Sequence, residues 1–214
     1  MTARPNGNRT ILLVLVLLLS GCRSSFKAPT HPYLVIGIDG LEWDILLPLL
    51  HEGDLPHLAH LMKHGVYGTL RTFEPTLSPV IWTTIATGKP ASQHGILDFG
   101  YRGKDGREHL YTSRDRKIRA IWNILSERGL RVNVAGWWDT WPAEQVNGAM
   151  VSQFSLLGEQ GRLRKGTVRE HWPAQTFPPG LFKEILPIVK RIRSQYPCPS
   201  NNGAGPSTNL LFTL

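Results

Sequence analysis

The apolar run from Leu34 to Ile38, closed by Asp39 and Gly40, constrains the fold more than any other stretch. A short continuous apolar run favours a strand buried on both faces, as in a parallel sheet covered by helices. Helical patterns follow at 41–50 and 118–128, the second leading directly into another strand pattern. This alternation predicts an α/β fold, and it places Asp39 at the sheet edge where such folds bind ligands.

A second stretch, from Thr76 to Gly88, predicts a short helix with a serine at its start. Ser78 is a favoured N-cap type, Pro79 suits the first helical position, and Gly88 suits the left-handed stop. One interpretation is that Ser78 only caps the helix. The other is that its hydroxyl meets an anionic oxygen, because the N-terminal end of a helix attracts negative charge. Asp39 on the same edge favours the second interpretation, since the two side chains could share a divalent ion.

Taken together, these pieces resemble the alkaline phosphatase superfamily, and most of all its type I phosphodiesterase/nucleotide pyrophosphatase branch. The resemblance spans roughly residues 33–193 and implies the N-terminal half of a three-layer αβα sandwich. The matching segments keep the family's order and spacing; they are Val35–Leu41, Ser78–Pro79 with Ala86–Gly88, His94–Phe99, and Asn133–Trp138 continuing through Trp141–Glu144 to Gly148.

The resemblance implies a role for two residues in particular. Asp39 would bind one of two divalent ions, expected to be zinc, and Ser78 would be both the nucleophile and a ligand of that ion. Ile81 stands where the branch often has an asparagine that contacts the phosphoryl oxygen, so the substrate-binding residues stay unknown. The aspartate–histidine–glycine element of the family's second half is not visible, so this chain is expected to be shortened and to supply ligands for at most one ion.

Three functions are compatible with this resemblance. The first is a metal-dependent hydrolase of small phosphoric esters that acts through a phosphoseryl intermediate. The second is a non-catalytic, lipid-anchored binding protein that keeps the fold. The third is a sulfatase or phosphotransferase on the same scaffold, ranked last because a sulfatase uses a different motif around its modified nucleophile.

The first 32 residues have the pattern of an export signal followed by a tether. Two arginines precede the apolar stretch from Ile11 to Leu19, which is too short to span a bilayer. The small residues before Cys22 resemble a bacterial lipoprotein box, which predicts a signal peptide at 1–21, lipidation of Cys22 and a tether at 22–32. The alternative is an ordinary signal peptide with a chance cysteine. The expected location is a periplasmic or outer surface, anchored to a membrane.

The charges and the histidines carry less information. The net charge of +8 is scattered and no nucleic-acid-binding motif accompanies it, so a solvated basic surface is expected. His60 and His64 lie one turn apart on a predicted helix, but spacing alone is weak evidence for metal, and exposed polar positions are expected. Residues 194–214 lack periodicity and predict an irregular tail.

Three tryptophans, Trp137, Trp138 and Trp141, follow the second predicted strand. They could line a substrate site at the sheet edge. Packing of a loop over the core is the competing interpretation, because aromatic side chains dominate core packing.

Overall fold

The computed structural model describes residues 30–153 and 173–195. The chain divides into units 1–32 and 33–214, and the description below concerns the second unit. The predicted signal peptide, Cys22 and nearly all of the predicted tail lie outside the described residues. Within the described ranges the helices are α1 (Trp43–Glu52), α2 (Pro56–His64), α3 (Ser78–Thr87), α4 (Ala91–His94), α5 (Ile121–Glu127) and α6 (Leu181–Gln195), and the strands are β1 (Gly100–Arg102), β2 (Glu108–Leu110), β3 (Val132–Ala135), β4 (Gly148–Val151) and β5 (Thr176–Phe177).

Two small sheets organise the described part of the chain. Strands β3 and β4 are parallel, with Val132 opposite Gly148 and Ala135 opposite Val151, and β5 adds to β4 in antiparallel orientation. The residues at 104–107 have the composition of a turn, which predicts a hairpin or a surface excursion. The structure has the hairpin, formed by β1 and β2, and Gly106 adopts the left-handed conformation at φ 74° within its turn. The β5 strand was not predicted, because two residues are too short to show a period.

The core lies between helices α3 and α5 and the sheet of β3 and β4. Helix α5 begins where Asn123 Oδ1 accepts the backbone N–H of Ala120 at 2.9 Å, which satisfies a donor at the helix start. The periodicity of 118–128 predicts this helix, but of its apolar side chains only Trp122 is fully buried, while Ile121 and Ile124 are exposed. The buried apolar cluster consists of Ala86, Ala120, Trp122, Val134, Val146 and Met150.

The strand predicted at 34–38 is wrong in the described structure. The segment is assigned to no strand and its side chains are exposed, including Leu34 at 68% and Ile36 at 57%. The pattern of Tyr67, Thr69 and Leu70 also predicts a strand-like stretch at 66–72, but this stretch is irregular and exposed. The apolar patterns predict burial, but a strand also needs a neighbouring strand that hydrogen-bonds with its backbone N–H and C=O groups. Among the described residues, no strand lies beside this segment.

Helix boundaries agree with the predictions to within a few residues. Helix α3 begins at Ser78 itself, with Leu77 as its N-cap, so the prediction of Ser78 as N-cap is off by one position. Helix α1 runs through Pro48, and α6 runs through Pro187. In the part of the chain that the structure describes, no helix combines the length and apolar character required to cross a bilayer.

Candidate active site

Ser78 and Asp39 meet at the start of α3. The Ser78 hydroxyl donates a hydrogen bond to Oδ2 of Asp39 at 2.9 Å, and both residues are half-buried. No side-chain hydrogen bond caps this helix, so the capping interpretation of Ser78 does not describe the structure. The hydroxyl instead faces a carboxylate 39 positions earlier in the chain. The sequence-predicted pair therefore forms a contact, although Asp39 ends an extended segment and not a strand.

A glycine lets the segment before Asp39 approach helix α3. A Cβ built on Gly37 would lie 2.4 Å from the ring of Trp82, closer than any side chain tolerates. Trp82 follows Ser78 by four positions, and residues so spaced share one face of a helix. The indole therefore rests against the backbone of the segment whose end carries Asp39, which explains how an otherwise exposed segment is held beside Ser78.

The loop after β3 holds the other side of α3. The indole N–H of Trp137 donates to the carbonyl oxygen of Trp82 at 3.0 Å, and the two rings meet edge-on at 5.0 Å. Trp138 is buried and packs edge-on against Phe99 at 5.5 Å. These contacts agree with the packing interpretation for Trp137 and Trp138, each of which packs against another ring of the protein. Trp141 is partly buried, and its indole N–H donates to the carbonyl oxygen of Pro173 at 3.0 Å.

Asp139, in the same loop, has an unusual environment. Its carboxylate is buried and accepts a hydrogen bond from the hydroxyl of Thr83 on α3 at 3.0 Å. Burial raises the pKa of Asp139 to about 7, against the smaller opposing effects of the Thr83 hydrogen bond and the Arg116 charge. Its backbone is in the left-handed region at φ 55°, which is uncommon for a residue other than glycine. Sequence reasoning did not single out this carboxyl.

His94 fixes the C-terminal half of α3. The backbone N–H of Ile96 donates to Nδ1 of His94 at 3.1 Å, so Nδ1 is unprotonated and Nε2 carries the proton. Nε2 then donates to the Thr84 hydroxyl at 3.0 Å, which donates to the Val80 carbonyl oxygen at 2.8 Å. Burial lowers the pKa of His94, in keeping with a neutral imidazole that orders the helix.

A further hydrogen-bond network, which the sequence analysis did not predict, supports the loop that carries Asp139. Nη2 of Arg116 contacts both carboxylate oxygens of Glu144 at 2.7 and 2.8 Å. The indole of Trp122 and the amide of Asn123 also donate to Glu144, at 2.9 and 3.2 Å. Arg116 Nη1 reaches the carbonyl oxygen of Asp139 at 3.5 Å, which connects the ion pair to the loop against α3.

Asp39 and Ser78 offer one carboxylate and one hydroxyl to a cation. Catalytic zinc sites normally have three protein ligands. Among the described residues, no group of three histidine, cysteine, aspartate or glutamate side chains is arranged to hold a metal ion. Two donors are fewer than such a site normally has, so Asp39 and Ser78 do not by themselves form a catalytic zinc site.

Comparison with known proteins identifies the family. The model of the type I phosphodiesterase/nucleotide pyrophosphatase family matches residues 33–183. The chain belongs to this family. The match includes Asp39, Ser78, Asp139 and the Arg116–Glu144 network, and the mixed helices and small sheets are consistent with a partial α/β fold of the alkaline phosphatase type. No solved structure matches the chain.

Membership in the type I phosphodiesterase family supports hydrolysis of phosphoric esters as the general activity. Members generally depend on metal, and the family suggests a small phosphate ester as substrate. The resemblance noted from the sequence is thereby confirmed at the level of the family.

Proposed function

We propose that this chain carries the nucleophile of a phosphoric ester hydrolase and that Ser78 is that nucleophile. The observation that supports it is the 2.9 Å hydrogen bond from the Ser78 hydroxyl to Asp39 at the start of α3. The hydroxyl lies where the first backbone N–H groups of a helix have no partner within the helix. Such a position favours the negative charge of a phosphoryl group.

In the proposed reaction the Ser78 oxygen attacks phosphorus and expels the alcohol or phosphate on the opposite side. The new bond joins the serine oxygen to phosphorus, and the bond to the leaving group breaks. Asp39 receives the hydroxyl proton, and the leaving oxygen takes a proton from solvent water. Water then attacks the phosphoserine, which releases phosphate or a phosphomonoester and restores the hydroxyl. The Trp82 ring packs against the backbone of the segment that ends at Asp39, and Trp137 donates a hydrogen bond to the Trp82 carbonyl oxygen. These contacts hold Ser78 and Asp39 next to each other.

The proposal includes metal dependence. Asp39 and Ser78 would hold one divalent ion, which when bound lowers the pKa of a hydroxyl and offsets phosphate charge. Zinc is the proposed ion, in line with the family. Because two donors are too few, we propose that further ligands come from polypeptide outside the described residues. The exposed apolar segment 33–38 supports this, since its run of side chains is typical of a strand with neighbours.

One observation favours a second candidate, a binding protein without turnover. In the part of the chain that the structure describes, no group of three histidine, cysteine, aspartate or glutamate side chains is arranged to hold a metal ion. A helix start with one hydroxyl and one carboxylate could still bind a phosphate ester together with a cation. Equilibrium dialysis with a phosphate ester and Zn²⁺ would show this function as retention without product.

Hydrolysis of bis-p-nitrophenyl phosphate by the purified full chain tests the proposal. We expect any zinc-dependent turnover to be abolished by Ser78→Ala and lowered by at least about 100-fold by Asp39→Asn, the scale of losing an activating partner. Thr87→Ala, a hydroxyl removed at the other end of α3, serves as the matched control and should keep the activity. Wild-type turnover that survives Ser78→Ala would contradict the role of serine.

The proposed origin of the missing ligands has its own test. Genomic DNA adjoining the coding sequence should encode an aspartate–histidine–glycine element with later histidines, in any reading frame. Adding that polypeptide should raise zinc-dependent turnover of the chain. If no such element is present and the chain alone does not turn over, the binding function takes precedence.

A further inference from the structure

Helix α2 carries two histidines whose rings lie side by side. His64 is in its last turn and His60 is four positions earlier, and both side chains are exposed. Their ring centroids are 4.5 Å apart and the ring planes meet at 47°. The site lies on a helix other than the one that carries Ser78, and the proposed hydrolase function does not use it.

This arrangement suits coordination of one ion by two imidazoles. Residues four apart share one face of a helix, and bonds from zinc-type ions to histidine nitrogen are about 2.0–2.1 Å long. Because both rings are exposed, their side chains can rotate until one nitrogen of each faces a common ion. The pair also lies at the C-terminal end of α2, where the negative end of the helix dipole favours a cation.

We propose that His60 and His64 form a two-ligand site for a borderline transition ion such as Ni²⁺ or Zn²⁺. Imidazole nitrogen is a favoured ligand of these ions. Among the described residues no group of three suitable side chains is arranged for metal, so water completes the coordination. The bound ion therefore exchanges readily with ions in solution, and while bound it stabilises the last turn of α2.

The test is a Ni²⁺ titration of the full chain, performed in the Asp39→Asn background so that the candidate active site does not contribute. Paramagnetic broadening of the histidine ring signals reports which residues bind. His60 and His64 should broaden together at the lowest Ni²⁺ concentration, and EDTA should restore both signals. His60→Ala and His64→Ala should each weaken this binding by about tenfold or more, because one imidazole cannot chelate.

His57 provides the matched control, since it is an exposed histidine on the same helix. His57→Ala should leave the affinity within about twofold of its parent, as expected for a surface residue that is not a ligand. Unchanged Ni²⁺ affinity in His60→Ala, or an equal loss in His57→Ala, would overturn the two-ligand site. If an alanine variant loses helix by circular dichroism, His60→Gln and His64→Gln replace it with the same expected losses. Failure here leaves the Ser78 proposal untouched, because the assay lacks a functional Asp39.

Discussion

At the scale of single residues, Asp139 has the strongest electrostatic signature. Its carboxyl has a pKa of about 7 in the folded protein because burial disfavours the charge, against 3.8 as the ordinary value. Between these values the folded state holds a proton that the unfolded state has lost. Stability must therefore fall as the pH rises from about 4 to about 7, and stay at the lower level above that.

Asp139→Asn removes this titration and keeps the shape of the side chain. Asn also tolerates the left-handed conformation and still accepts the Thr83 hydrogen bond. We expect the variant to be more stable than the parent at pH 8, by up to about 4 kcal/mol, with the advantage vanishing near pH 4. Urea unfolding at several pH values measures this difference.

The control for this prediction is Asp105→Asn, which changes an exposed aspartate on the β1–β2 turn. The neighbouring His109 lowers the pKa of Asp105, so its neutralisation should bring no gain at pH 8. A pH-independent difference between Asp139→Asn and the parent would mean that the Asp139 carboxyl keeps an ordinary pKa.

At the scale of elements, the Arg116–Glu144 pair joins the segment before α5 to the loop after β3. The Arg116 side chain is only 4% exposed and Glu144 22%, so removing one partner leaves a poorly solvated charge. We expect Arg116→Met to destabilise the fold by about 3–5 kcal/mol, the range for breaking a buried pair. Arg119, just before α5, and Glu127, in the last turn of α5, form an exposed pair, and Arg119→Met should cost less than about 1 kcal/mol. Equal losses in urea midpoint would contradict burial as the cause.

An element could be predicted from the sequence when the residues that determine it lie close together along the chain. Helices α3 and α5 were predicted because caps, periodicity and stop residues all lie within one short stretch. Ser78 and Asp39 were paired in advance because both mark the ends of predicted elements. Arg116 and Glu144 are 28 positions apart, and nothing in the sequence shows which acid meets which base. The prediction of a strand at 34–38 was wrong because an apolar pattern indicates burial but does not show which neighbouring strand would pair with the segment.

At the scale of the whole molecule, exposed apolar surface is concentrated in two irregular segments. Tyr33 is 87% exposed and Val66 103%, and the Tyr67 ring in the second segment lies 6.1 Å from the ring of Trp43 on α1. Monomeric soluble proteins rarely expose large contiguous apolar patches, and such patches promote association. The other exposed members of the two segments are Leu34, Val35, Ile36, Ile38, Tyr67, Leu70 and Phe73.

Residues 23–214, produced alone, should therefore bind a hydrophobic dye and self-associate. Nile red is the better probe, because the full chain's net charge of +8 also attracts the anionic dye ANS. Leu34→Glu with Ile36→Glu should lower dye binding several-fold, since two charges interrupt the patch. Ile121→Glu, at an exposed apolar position on α5, is the matched control and should change little. A monomer that melts cooperatively without binding Nile red would show that these segments are covered in solution. Their exposure would then no longer support the proposal that further polypeptide lies beside them.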